Sequence, residues 1–196
     1  MGTFAAGREA VAAAITAAQP HTHHAEADPL YAVIYDERFP ECTAFAARAR
    51  SRGQRTEGLE RGDVTRLWYD DLYHRWKQGP AAIAGLTAPG ALFVLETFGN
   101  DAGLRLQFRA EHRQQGDRVE HRLCGPGVML RNALPLESRS SRWSAHMAQV
   151  VGGTRPAHFG RDELRLMTRL PGAPQDEQNL LVSWVLAPRP LRSRAT

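Results

Sequence analysis

The chain has 196 residues, 42% of them hydrophobic, and a formal charge of +4. That size and composition suit one domain with a real core, and no segment approaches the roughly 20 apolar residues of a membrane-spanning helix. Lys77 is the only lysine among the 25 basic residues. The arginines are dispersed among Asp and Glu instead of clustering with aromatics, which argues against a nucleic-acid partner.

In chain order, Ala10–Ala18 (AVAAAITAA) has the length of a signal-peptide core, with Thr16-Ala17-Ala18 as a small-residue cleavage site. Alanine is also a strong helix former, and Arg8 is neutralised by Glu9, so an ordinary helix explains the segment equally well. Residues 21–29 (HTHHAEADP) read as a polar linker. His21, His23 and His24 in it read as solvated, with weak metal binding as the alternative.

From Leu30 the pattern alternates. Leu30–Tyr35 (LYAVIY) reads as a buried strand. Pro40–Ser51 reads as a helix, with Pro at its first position and an apolar stripe of Cys42, Phe45, Ala46 and Ala49. A weak strand near Arg55–Leu59 precedes a helix over Val64–Gln78. Asp63 caps that helix, and Val64, Trp68, Leu72 and Trp76 recur every four residues. Ala81–Leu86 is a strand, Pro89–Ala102 a helix and Leu104–Arg109 a strand. Helices between strands imply parallel pairing with crossovers. The expected fold is therefore α/β: a three-layer, Rossmann-like sheet with a parallel N-terminal βαβαβ core.

An antiparallel extension is expected from about residue 104. Arg105–His112 and Arg118–Cys124 flank Gln114-Gln115-Gly116-Asp117 and read as a hairpin. With Gly116-Asp117 as the turn, Glu111 faces Arg122, Arg113 faces Glu120, and His112 faces His121; the two charge pairs support that register. Beyond Gly125-Pro126-Gly127, a short apolar element at His146–Val151 precedes two strands at Glu163–Leu170 and Asn179–Ala187. These are expected to pair with each other at an edge of the sheet, with Trp184 in the core. The organisation is a leader or helix plus linker at 1–29, a single α/β domain at 30–188, and a solvated arginine-rich tail at 189–196.

The carboxyl edge of parallel strands is where such sheets bind ligands. It gathers Asp36, Glu37 and Arg38 after the first strand, Asp63 and Thr65 at the second helix, and Thr87 after the third strand. Each loop leads into a helix N-terminus, so an anionic or carboxylate small molecule is a reasonable ligand. The plainer reading is that Asp63 and Thr87 only cap helices. If Asp36 served the ligand alone, Asp36→Asn would change ligand retention more than stability. No dinucleotide fingerprint, Walker A sequence, nucleophile elbow or zinc-protease motif is present, and the third strand ends without the aspartate of a receiver domain.

His112 and His121 share the apolar side of the hairpin with Phe108, Ala110 and Leu123. Paired imidazoles there suit zinc or copper given a third ligand, proton transfer, or simple stacking at the core margin. No cofactor is otherwise expected. Cys42 stands at a helix start, where the dipole favours a thiolate, but its place in the apolar stripe favours a buried, inert thiol. The spacing of Cys42 and Cys124 does not decide whether they pair.

The segments YAVIYDERFPECTAFA, GDVTRLWYDDLYHRW, AIAGLTAPGALFVLE and LQFRAEHR resemble uncharacterised proteobacterial proteins that often carry a twin-arginine export signal. The resemblance implies a periplasmic protein and transfers no catalytic residue. No Arg-Arg pair precedes Ala10–Ala18, which leaves a cytoplasmic location open. The leading functional expectation is a small-ligand-binding or accessory protein. Two alternatives stand beside it. One is an enzyme using Asp36 or Glu37 with a histidine as acid/base pair; the other is a partner-binding module using Trp68, Tyr69, Tyr73 and Trp76.

Overall fold

The computed structural model describes residues 29–138, 142–153, 161–174 and 176–188. The Ala10–Ala18 segment, the His21-His23-His24 cluster, His158 and the tail lie outside the described residues. Seven strands form one mixed sheet: β1 (Ala32–Asp36), β2 (Thr56–Leu59), β3 (Ile83–Thr87), β4 (Leu104–Gln115), β5 (Arg118–Gly125), β6 (Asp162–Arg169) and β7 (Gln178–Pro188). Their order is β2-β1-β3-β7-β4-β5-β6. β1 pairs parallel with both β2 and β3, and every other pairing is antiparallel.

The helices are α1 (Pro40–Arg50), α2 (Thr65–Leu67), α3 (Tyr73–Lys77), α4 (Pro89–Asp101), α5 (Gly127–Ala133) and α6 (Trp143–Gly152). A π-helical turn, Trp68–Leu72, joins α2 to α3. The sequence explains this turn. An apolar repeat of four residues outruns the 3.6 residues of an α-helical turn, and a wider turn takes up part of the drift. Val64, Leu67, Leu72 and Trp76 are buried, while Trp68 is only half-buried and stacks on Phe98 with ring centroids 4.1 Å apart. Trp76 also donates its indole N–H to the Ala81 carbonyl at 3.0 Å. Trp76→Ala should therefore cost about 3–5 kcal/mol in a urea melt, and Trp68→Ala distinctly less. Equal losses would contradict this difference in burial.

Strand residues feed two apolar clusters in alternation. Along β7, Leu181, Val185 and Ala187 join Val33, Phe45, Phe108, Leu123, Trp143 and Met147. Val182, Trp184 and Leu186 join Ile34, Leu72, Trp76, Leu92 and Leu95. The first cluster draws on α1, α5 and α6; the second draws on α3 and α4.

One expectation needs correction. β6 and β7 do not pair with each other. β7 runs between β3 and β4, and β6 lies beyond β5 at the far edge. The reason is burial: Leu181 to Ala187 are all buried, as a central strand with two covered faces requires, whereas β6 alternates exposed and buried residues. The antiparallel strands β4–β7 all follow Leu104 in the chain, and they meet the parallel core at the β3–β7 contact. The hairpin register agrees with its charge pattern: Glu111 faces Arg122, Arg113 faces Glu120 and His112 faces His121.

Candidate functional site

β1 leads through α1 to β2 on one side, and the chain then returns past β1 to β3 on the other. The carboxyl ends of β1 and β3 therefore flank a topological switch point, where departing loops diverge and leave a crevice. A groove of about 580 Å³ opens at that edge. Its polar lining includes Arg38, Arg61, Asp63 and Thr65. Its apolar lining includes Trp68, Val94 and Phe98, and the start of α4 at Gly90 and Ala91 closes one end.

Arg38 is held from behind. Asp36 ends β1 fully buried and accepts the Arg38 Nε–H at 2.9 Å, its Nη2–H at 2.6 Å and its backbone N–H at 3.2 Å. The carboxylate keeps the guanidinium firmly protonated, and 46% of the Arg38 side chain remains exposed. Gly62, at φ +75°, packs against this pair; a β-carbon there would overlap the Arg38 guanidinium. Arg61 precedes it with φ +52°, the only positive φ of a non-glycine among the described residues. Such conformations cost about 1 kcal/mol or more, and they concentrate at ligand sites.

Asp63 accepts the Thr65 backbone N–H at 2.8 Å, a local turn bond just ahead of α2. Hydrogen bonds from the Thr65 hydroxyl and N–H hold its carboxyl below the ordinary aspartate value. α4 differs. Its N-cap is Ala88, which makes no side-chain bond to the first turn. Pro89 has no N–H, so the Gly90 and Ala91 N–H groups are the first-turn donors that need an acceptor from outside the helix.

The predicted residues separate into three groups. Arg38, Asp63 and Thr65 line the groove. Asp36 supports it without lining it. Glu37 packs over Gly58 on β2, and Thr87 is buried beneath the edge, accepting the Trp184 indole N–H at 3.1 Å. The groove's apolar wall of Val94 and Phe98 was not read from the sequence; its signal is that these two residues, four apart, share one face of α4. The αL backbone of Arg61 also went unread, because that geometry at a non-glycine has no local sequence mark.

The histidines lie elsewhere. His112 and His121 belong with the α5–α6 side of the sheet, among Phe108, Ala110 and Leu123, whereas Asp36 shares the parity of Ala32 and Ile34 on the opposite face. The structure does not bring the acid/base pair of the enzyme alternative together. The two rings touch through their Nδ1 atoms at 2.7 Å, and both are buried. Among the described residues no third His, Cys, Asp or Glu joins them in a metal-holding group. The aromatic helix does not present one stripe either: Trp76 is buried, Trp68 stacks inward, and only Tyr69 and Tyr73 are exposed. Cys42 and Cys124 are both free thiols, and burial pushes the Cys42 thiol far up, which leaves it inert.

No family model, curated protein or solved structure matches the chain.

Proposed function

We propose that the protein binds a small ligand with an acidic head and a planar or aliphatic body in the groove between the carboxyl ends of β1 and β3. One observation carries this reading. The uncapped start of α4 and the Asp36-braced Arg38 open into the same crevice, so orphan N–H donors and guanidinium donors converge on one space. Arg61 adds a second cation at the mouth. Trp68, Val94 and Phe98 supply an apolar wall for the body of the ligand. The π-helical turn that presents Trp68 and Tyr69 supports the same reading, since such turns recur at functional positions.

The three-layer, Rossmann-like description belongs to this proposal. It rests on the parallel β2-β1-β3 core and on the two clusters that alternate along the strands. Periplasmic location rests on Ala10–Ala18 and on the resemblance to exported proteobacterial proteins. Among the described residues no helix is long and apolar enough to cross a membrane.

Calorimetric titration of the full chain with benzoate, phenylacetate and hexanoate tests the binding reading. Saturable heats in the parent protein, lost in Arg38→Met, are expected. Saturable binding that is indifferent to Arg38→Met would overturn the site, and no saturable binding of any of the three would overturn the ligand class.

A further inference from the structure

The ring nitrogens of His112 and His121 sit in a chain of hydrogen bonds with one consistent arrangement of protons. The Leu136 carbonyl only accepts, so Thr168 gives it its single hydroxyl proton at 2.7 Å. The Thr168 oxygen must then accept from His121 Nε2–H at 2.9 Å. Burial keeps both rings neutral: His121 is pushed down to about 4 and His112 well below the ordinary histidine value. A neutral His121 carrying its proton on Nε2 has a bare Nδ1. His112 therefore donates Nδ1–H across 2.7 Å, and its own bare Nε2 accepts the Ser183 hydroxyl at 2.8 Å. The chain crosses β7, β4, β5 and β6 and ends on the Leu134–Ser138 turn of the helical cover.

We infer that this chain is an acid-triggered latch: protonation of the histidine pair releases the cover formed by α5, the Leu134–Ser138 turn and the Trp143 end of α6 from the β4–β5–β6 end of the sheet. A proton on His121 Nδ1 abolishes the bond between the rings. A proton on His112 Nε2 requires the Ser183 hydroxyl to turn round and find another acceptor. Either way a full positive charge sits where no carboxylate among the described residues offsets it.

Among the described residues, the groups facing the pair are apolar or neutral on every element packed against it. They are Ala110 and Gln114 from β4, Val119 and Leu123 from β5, Leu166 and Thr168 from β6, and Leu181 and Ser183 from β7. Met129 and Leu130 stand on α5, Leu136 on the turn, and Trp143 and Met147 on α6. Burial, and then the neighbouring His121, push His112 down, while burial alone pushes His121 down. Glu111 and Glu120 alternate to the other face of the hairpin, and Glu111 pairs with Arg109. His146 on α6 donates to the Asn132 carbonyl at 2.8 Å instead of joining the chain.

The cover is the part that must yield. Trp143 lies over both rings, with centroids 4.6 Å and 5.3 Å away, and the Leu136 carbonyl is the last acceptor of the chain. Water reaches a protonated ring by displacing these contacts. The sign follows from proton linkage. The open state, with ordinary histidines, binds more protons than the closed state as pH falls below about 6.5, so closure weakens on acidification by about tenfold per pH unit for each histidine involved.

Amide hydrogen exchange of the full chain between pH 7 and pH 4.5 tests the latch, with each rate divided by its intrinsic value. Protection in α5 and β6 is expected to fall about tenfold or more per pH unit below pH 6, while β1 and β3 keep theirs. The fall should persist in His146→Gln and vanish in His112→Leu/His121→Leu. Uniform loss across the sheet, no loss, or the same loss in the double variant would overturn the latch. Nitrogen NMR of the parent protein decides independently should the double variant not fold. His112 protonated on Nδ1 and His121 on Nε2 at pH 7 supports the chain, and any other tautomer pair overturns it.

Discussion

Gly85→Ala is expected to destabilise the protein by about 3 kcal/mol or more, at the upper end of what overpacking costs. β3 is paired on both sides, and Gly85 stands opposite Ile34 of β1 and Trp184 of β7. An added β-carbon would lie 2.5 Å from the Ile34 carbonyl oxygen and 2.6 Å from a Trp184 ring carbon. Neither neighbour has room to give. The oxygen is backbone, and Trp184 is fully buried with its N–H on Thr87. Relief requires the parallel core to part or the largest core side chain to leave. A urea melt checks this; a loss below 1 kcal/mol would mean that the β1–β3–β7 packing is looser than described. In a Trp184→Leu background the added cost of Gly85→Ala should shrink, because one of the two overlaps is gone.

Arg38→Met is expected to cost about 3 kcal/mol and to remove ligand binding. The stability term comes from Asp36. It is fully buried, and Arg38 supplies two side-chain hydrogen bonds to its two oxygens. Removing the guanidinium strands a buried carboxylate, which costs more than the pair itself contributes. Asp36→Asn should cost less, since an amide keeps hydrogen-bonding capacity and leaves no buried charge. The double variant Asp36→Asn/Arg38→Met should regain much of the stability lost in Arg38→Met, giving a coupling of about 1 kcal/mol or more in a double-mutant cycle. Additive losses would show that the pair is not coupled. Asp36 is therefore a structural support for the groove, and the sequence expectation that its substitution would spare stability does not fit its burial.

The parallel core was legible because its signals are local. Pro40 and Pro89 start helices, Gly53 and Gly103 follow their ends, and the apolar runs between them mark strands within one or two residues of their observed bounds. The hairpin register was legible to the residue because two charge pairs and a two-residue turn specify it together. The place of β7 was not, since strand order depends on which distant strands pair. A signal did exist: Leu180 to Ala187 is apolar almost throughout, the composition of a strand covered on both faces, and such a strand does not belong at an edge. Asp36 looked like a loop acid because the first strand was ended one residue early; the observed strand includes it, and burial follows. At the site, side chains near a helix start were readable, while the opposite wall needed the packing of α4 against Trp68.

The groove's role is tested most directly by mapping backbone amide shifts of the full chain during titration with benzoate. Saturable shifts concentrated at Gly62, Thr65, Gly90 and Ala91, with the Gly90 and Ala91 amides moving most, are the predicted result, because those N–H groups await an acceptor at the uncapped start of α4. Saturable shifts confined to another part of the sheet, or amides at Gly90 and Ala91 that do not move at saturating benzoate, would contradict it.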